Sequence, residues 1–320
     1  MSMNLFTRGL ALLLLVNFCC LSNAFSTADE IIFNDGFQTT PWPSPGDVGH
    51  RGDVGSLTVI DANSSTPAGT FYSTHGYLEV TGTNVTLDHV FVHGGIDVYG
   101  GGTFTLTNAI VEGGWGSDDS FIIRCGRVDG ATCAIRDSTV RFKTGVAWTG
   151  AGSFAIAAKA DVDLQIFHND ICCAGDGIGV GSSAQSRIEG NYVHDLQTST
   201  DNSIHQNAIY NFGATGLTII GNNRLEASVC QTCSTSSVFS QPDVDGNLLD
   251  IYANYMNGGA YTLYLEDGTR AAVRRNEIGK DQLLGPCALT GTVVIDMWAT
   301  NWLGDSASEQ NGTPLLLSDC

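Results

Sequence analysis

Two stretches of the chain concentrate acid–base chemistry. One is Gly175-Asp-Gly-Ile-Gly-Val180, centred on Asp176; the other is His194-Asp195, followed by Asp201 and His205. Lys159, Tyr210, Tyr264 and Glu266 fall at matching places of a repeated pattern, and Asp176 and Asn207 share an earlier place in it. Histidine, lysine and tyrosine supply proton acceptors and donors. Tyrosine rings with polar tips, beside amides and carboxylates, suit the faces and hydroxyls of sugars. Asp176 with Glu266, or with Asp243, is a carboxylate pair of the kind that flanks a glycosidic bond in hydrolysis. Asp243 with Asp245, and Glu266 with Asp267, offer oxygens to a hard cation such as Ca2+.

The same residues have structural uses. An Asp before Gly177 shapes a turn, tyrosines are ordinary on sheet surfaces, and Lys159 can pair with Asp161. His205 lies in a polar loop, and acid pairs in loops are usually solvated. Arg136, Glu189 and Arg274 share one outward place and are expected to decorate a different face.

What must position these groups is a repeat. An apolar residue, two variable positions, Asn or a small polar residue, one variable position and another apolar residue recur at Ile135–Val140, Ile166–Ile171, Ile188–Val193, Ile220–Leu225, Ile251–Met256 and Val273–Ile278. The polar centres are Ser138, Asn169, Asn191, Asn223, Asn254 and Asn276, with degenerate copies centred on His89 and Asn108. A second short ladder precedes many copies: Gly95–Val98, Phe154–Ile156, Gly177–Val180, Asn207–Ile209 and Thr262–Leu265. Short alternating strands at a fixed period, punctuated by Gly and Asn, describe a solenoid. The expected fold is all-β, a single-stranded right-handed parallel β-helix with three strands per coil. In it the Asn takes the left-handed turn between strands and bonds to its equivalent one coil away.

Composition narrows the function. The 320 residues carry 14 Lys and Arg against 33 Asp and Glu, a net charge of −19 that lacks the basic clusters nucleic acid requires. It disfavours anionic membrane surfaces too. Arg8 ahead of the apolar run Leu10–Val16, with Ser22 and Ala24 after it, predicts a signal peptide over 1–24. Its removal takes away Arg8 and no acid, giving −20. No later stretch approaches a membrane span of about 20 apolar residues. Secretion is therefore expected, to the extracellular space or the periplasm, and the protein is expected to be monomeric. Eight cysteines remain after cleavage, at 125, 133, 172, 173, 230, 233, 287 and 320. An even count in an oxidising compartment predicts disulfides, with local pairing preferred and the partners left open. Cys230-Gln-Thr-Cys233 has no second pair and no histidine at a zinc spacing, so it reads as a structural disulfide. Residues 25–84 are expected to form an N-terminal lead-in and cap, 85–285 the β-helix, and 286–320 a C-terminal cap that Cys287 can staple.

Gly175–Ser182, Ile188-Glu-Gly-Asn-Tyr-Val-His-Asp-Leu196, His205-Gln-Asn-Ala-Ile-Tyr210 and Gly258-Gly-Ala-Tyr-Thr-Leu-Tyr264 together resemble the pectate-lyase-like secreted β-helix proteins. More narrowly they look like a bacterial branch carrying a DGI, NYxHDL, HxDGIQ and GGxYTLY series, over roughly residues 80–310. One departure is plain: where that branch favours Asp-Gly-Ile-Gln, this chain has Asn207, Ala208, Ile209 and Tyr210. The resemblance implies action on an extracellular, usually acidic, polysaccharide, foremost by β-elimination. Such a lyase neutralises the uronate carboxylate, removes the C5 proton and protonates the leaving O4. His205 or Lys159 would be the base and Tyr210 the proton donor, with Asp176 and His194 beside them and Asn207, Tyr264 and Glu266 holding substrate. A chain this acidic repels a polyuronate unless Ca2+ or a local Lys/Arg cluster reverses the sign. Hydrolysis through paired carboxylates and non-catalytic glycan binding or a cell-surface structural role are the alternatives.

Overall fold

In the computed structural model the described residues are 42–114, 121–143, 154–158, 161–181, 184–197, 206–214, 216–229, 235–242, 247–304 and 312–320. They contain β-strands, two single-turn 3-10 segments and no α-helix. Most strands lie in three long stacks of parallel strands. Sheet 1 runs from Tyr77–Val80 through Gly95–Val98, Phe121–Cys125, Phe154–Ala158, Asp176–Val180, Asn207–Asn211, Ser236–Ser240 and Tyr261–Leu265 to Gly285–Leu289. Sheet 2 runs from Val85–Asp88 to Val294–Ala299, and sheet 3 from Thr58–Ile60 to Thr313–Pro314. From Tyr77 to Leu303, neighbouring strands of one sheet are separated in sequence by one strand from each of the other two. The architecture is that of a solenoid.

Period-2 alternation fills its interior. In Val162–Phe167, Val162, Leu164 and Ile166 are fully buried between partly exposed neighbours. Parallel register stacks like on like, as in the column Ile135, Ile166, Ile188, Ile220, Ile251 and Val273. Burying a side chain of this size contributes about 1.5–3 kcal/mol.

The predicted amide ladder is present and longer than the sequence pattern reached. Each Oδ1 accepts the backbone N–H of the preceding ladder residue at 2.9–3.1 Å, from Ser138 through Asn169, Asn191, Asn223, Asn254 and Asn276 to Asn301. Each asparagine Nδ2 donates to a main-chain carbonyl in the direction of the N-terminus, such as Asn223 to Ile188 at 2.8 Å. Two details differ from expectation. The left-handed residue is not the ladder asparagine but its predecessor: Asp137, His168, Gly190, Asn222, Ala253, Arg275 and Thr300 all have φ between 48° and 70°. The asparagine itself must turn inward to reach its neighbour, so the residue before it makes the corner. For the same reason His89 and Asn108, with φ of 52° and 47°, are corner residues, and Ala109 is the true equivalent of Ser138, donating to its Oγ at 3.2 Å.

The expected end boundaries also move. Residues 285–289, 294–299 and 302–303 extend all three sheets, and Asn301 extends the ladder, so this part of the C-terminal segment continues the stack. Among the described residues that follow, the short strand Thr313–Pro314, antiparallel to Trp302–Leu303, and the 3-10 turn Leu317–Asp319 depart from it, and the disulfide Cys287–Cys320 ties the chain end back. Residues 42–57 run along the stack rather than covering its end. Trp42 Nε1 donates to Ala253 O (3.0 Å), Gly49 N to His168 O (2.9 Å) and Thr58 N to His89 O (3.0 Å), while His50 Nδ1 lies 3.1 Å from Asn108 O. All four carbonyls belong to left-handed corner residues. Those corners turn a backbone carbonyl away from the sheets, and the strap takes up the free acceptors. Cys125–Cys133 and the vicinal Cys172–Cys173 are further disulfides, and Cys230 and Cys233 lie outside the described residues.

Candidate functional site

The outer face of sheet 1 carries a continuous row of aromatic rings. Register places Arg124, Ala157, Gly179, Tyr210, Phe239 and Tyr264 in one column. Ring centroids lie 5.0 Å apart from Tyr210 to Phe239, 5.2 Å from Phe239 to Tyr264 and 5.6 Å from Tyr264 to Tyr261. Toward the N-terminal side the row continues through Phe212, Phe154 and Phe121, at 5.4 Å (Tyr210–Phe212), 5.7 Å (Phe154–Phe212) and 6.1 Å (Phe121–Phe154). Glycine lets it close: a Cβ on Gly179 would stand 2.6 Å from the Phe154 ring, and one on Gly181 would overlap Phe212. Phe121, Phe154 and Phe239 are buried under their neighbours, whereas Tyr210, Phe212, Tyr261 and Tyr264 remain partly exposed.

Polar groups edge the row. Tyr210 Oη donates to Gln241 Oε1 at 3.1 Å. On Tyr264 the hydrogen bond with Thr290 favours the phenolate, but partial burial and the adjacent Glu266 carboxylate outweigh it and raise the pKa. Tyr264 is thus held as a phenol. At the N-terminal end Asp97, 3% exposed, binds both Arg124 and Arg127, and the Arg124 guanidinium lies 5.4 Å from the Phe121 ring centre.

Asp176 and Asn207 stand at the strand entrances, as the repeat implies, but do not face substrate. Both are buried at the entrance of their sheet 1 strands, Asp176 being 3% exposed. Asp176 Oδ1 accepts from Asn207 N (2.7 Å) and Nδ2 (3.1 Å), and Asn207 Oδ1 accepts from Ser236 N (3.0 Å). This second ladder, in register with Phe121 and Phe154, suits an amide at 207. An Asp there would face the Asp176 carboxylate with no amide hydrogen to offer. Burial pushes the Asp176 carboxyl up to about 7, against the lowering effect of the Asn207 hydrogen bonds. At this burial Asp176 is not presented to a polymer. Strand geometry also separates it from Glu266: three strand spacings and one strand length amount to roughly 20 Å, well beyond the 5–9.5 Å of glycosidase carboxylate pairs.

His194 lies on sheet 3, away from the aromatic row. Its Nε2 is 2.8 Å from Asp170 Oδ1, its Nδ1 is 2.7 Å from Asp195 Oδ2, and its ring stacks on Tyr192 at 4.1 Å. Burial works against the imidazolium, but the two carboxylates outweigh it and raise the pKa. With both nitrogens engaged by carboxylates, His194 clamps two strands together and has no free nitrogen to offer a substrate. The Tyr192 hydroxyl in turn donates to Glu226 at 2.9 Å. A groove of about 670 Å³ follows the ends of the sheet 3 strands here, lined by Asp195, Glu226, Asn257, Gly258, Asp281 and Leu283 among others.

The expected residues therefore divide. Tyr210 and Tyr264 share the sheet 1 face, with Glu266 just past the end of the Tyr261–Leu265 strand, Asp176 and Asn207 lie beneath the surface, and His194 is on sheet 3. His205, Lys159, Asp243 and Asp245 lie outside the described residues, as does Asp201. Among the described residues no group of three or more His, Cys, Asp or Glu is placed to hold a metal ion, so no step is derived through Ca2+. Arg136, Glu189 and Arg274 do sit on another face, but stacked rather than merely solvated: Arg136 over Phe167 at 4.9 Å, Arg274 over Tyr252 at 4.8 Å, and Tyr252 Oη 2.5 Å from Glu189.

Sequence reasoning missed Phe121, Phe154, Phe212, Phe239 and Tyr261 as members of the row. The signal lay in Ser236-Ser-Val-Phe-Ser240, which aligns with Asn207-Ala-Ile-Tyr-Asn211 and puts Phe239 on Tyr210. No family model, curated protein or solved structure matches the chain. No helix among the described residues is long and apolar enough to cross a membrane.

Proposed function

We propose that this chain is a secreted right-handed parallel β-helix of three strands per coil, resembling pectate-lyase-like proteins, that binds an extracellular polysaccharide along the outer face of sheet 1 and cleaves it by β-elimination. The observation that carries the reading is the row of rings from Phe121 to Tyr261. Its partly exposed members form two platforms, Tyr210 with Phe212 and Tyr261 with Tyr264, two strand spacings or roughly 10 Å apart, whose ring faces and hydroxyls suit separate sugars of one chain. Tyr210, whose hydroxyl is a donor at the edge of the row (3.1 Å to Gln241 Oε1), is assigned proton donation to the leaving oxygen. His205 or Lys159 is assigned the base, each lying within two residues of a sheet 1 strand in sequence. Hydrolysis by Asp176 with Glu266 is disfavoured by their separation and by the burial of Asp176.

Affinity electrophoresis against uronate-containing and neutral glycans, with ultraviolet absorbance to detect unsaturated uronate products, tests both halves. Tyr264→Ala removes one exposed platform and should weaken binding by roughly tenfold, the effect of about 1.4 kcal/mol. Unchanged affinity in Tyr264→Ala and Tyr210→Ala would refute the binding face. Reducing ends without unsaturated product would replace elimination by hydrolysis.

A further inference from the structure

The apolar columns of the core are interrupted by polar residues on the same neighbouring strands. In sheet 1 the column Cys125, Ala158, Val180, Asn211, Ser240, Leu265 and Leu289 turns polar only at Asn211 and Ser240. In sheet 2 the column Leu164, Ser186, Thr218, Leu249 and Ala271 turns polar only at Ser186 and Thr218. Asn247, which opens the next sheet 2 strand, and its register partner Thr269 add two more. All six side chains are 0–1% exposed.

Part of this cluster is satisfied internally. Asn247 Nδ2 donates to Ser240 Oγ at 3.3 Å, and Ser240 Oγ and Thr269 Oγ1 are 3.1 Å apart. Five atoms have no protein partner: Ser186 Oγ, Asn211 Oδ1, Asn211 Nδ2, Thr218 Oγ1 and Asn247 Oδ1. Leaving a buried donor or acceptor unpaired is costly, and buried polar groups in folded proteins are almost always bonded.

The balance of donors and acceptors identifies what fits. A cation would satisfy the oxygens but be repelled by the amide hydrogens of Asn211. An anion would satisfy Asn211 Nδ2 and the hydroxyl hydrogens but face the carbonyl oxygens of Asn211 and Asn247. Only a neutral group that both donates and accepts serves all five, and the enclosed core limits its size. We propose that the solenoid holds an internal water site at the corner between sheets 1 and 2, where ordered water bridges Ser186, Thr218, Asn211 and Asn247. Buried waters typically make about three hydrogen bonds, so two or more molecules account for five atoms that present hydroxyls, a carboxamide and a carbonyl. Asn211 and Ser240 directly follow Tyr210 and Phe239 in sequence, so the hydrated segment underlies the aromatic row.

An isosteric substitution in the full-length protein decides the matter. If water bridges Thr218 Oγ1, Thr218→Val strips a partner from that water and lowers the melting temperature; if the hydroxyl is simply unpaired, the same change removes a desolvated group and raises it. Ser186→Ala is the second variant and should act in the same direction as Thr218→Val. A high-resolution crystal structure should show at least two ordered waters, each within hydrogen-bond distance of two or more of the five atoms. A rise in melting temperature for both variants overturns the proposal. So does a crystal structure in which the five atoms pair with one another, or in which an ion occupies the corner.

Discussion

Truncating the centre of the amide ladder, Asn223→Ala, gives a number that the structure fixes closely. Asn223 Oδ1 accepts from Asn191 N (2.9 Å) and Nδ2 (3.0 Å), and its Nδ2 donates to Ile188 O (2.8 Å) and Asn254 Oδ1 (3.0 Å). Four hydrogen bonds are lost, at about 1 kcal/mol each, and the buried backbone N–H of Asn191 is left without an acceptor, which adds about 1 kcal/mol. The expected destabilisation is about 4–5 kcal/mol, or on the order of 10 °C in melting temperature for a chain of this size. Asn301→Ala is the control. It removes three bonds at the last rung, to Asn276 N, Asn276 Nδ2 and Val273 O. Only the terminal strands need open there, because stability in a stacked array is a sum over neighbouring units. Differential scanning calorimetry of both variants is the assay. An Asn223→Ala shift smaller than that of Asn301→Ala, or below about 2 °C, would refute the account of the ladder as the spine of the fold.

Two titrating groups make further predictions. The Asp176 carboxyl has its folded pKa raised from 3.8 to about 7, so folding favours its protonated form. Its contribution is complete below about pH 4 and declines as pH rises through 7, a loss of a few kcal/mol. Asp176→Asn keeps an acceptor for Asn207 and should raise the urea midpoint at pH 8 while leaving it little changed at pH 4; equal effects at both would contradict the burial argument. His194 is raised from 6.5 by its two carboxylates. The stability it adds is present below about pH 6.5 and lost as pH climbs through the raised value. His194→Gln should therefore cost more at pH 6 than at pH 9, and a pH-independent cost would show that the Asp170–His194–Asp195 clamp is not charged.

The repeat of apolar and polar residues was sufficient to specify stacked parallel strands, because a residue that recurs at one place in every unit can be satisfied only by its own equivalents. Asn169, Asn191, Asn223, Asn254 and Asn276 were legible for that reason, and Asn301 keeps the same spacing in Trp298-Ala-Thr-Asn-Trp-Leu303, with Trp at the place that Ile or Val takes in the other copies. The corner residues were harder to place. His89 and Asn108 look like ladder residues, yet a one-residue difference separates the position that turns the chain from the one that bonds across it.

The candidate site divides along the same line. Sequence determined which strands carry Tyr210 and Tyr264, since both fall at one place of the repeat. Tertiary structure decided their company. Phe239 joins them because parallel register brings residues about 30 positions apart into one column, and Phe121, Phe154 and Phe212 pack beside that column, where glycines at 179 and 181 leave room for the rings. Register equally drew Asp176 and Asn207 into a buried ladder and set His194 between two carboxylates on sheet 3, leaving the first two without the exposure, and the third without the place, that a shared face requires. Local sequence sets how far along its strand a side chain sits and so which neighbours it can meet. Whether it ends exposed, buried or already hydrogen-bonded depends on what the adjoining strands present, and that is a property of the stack.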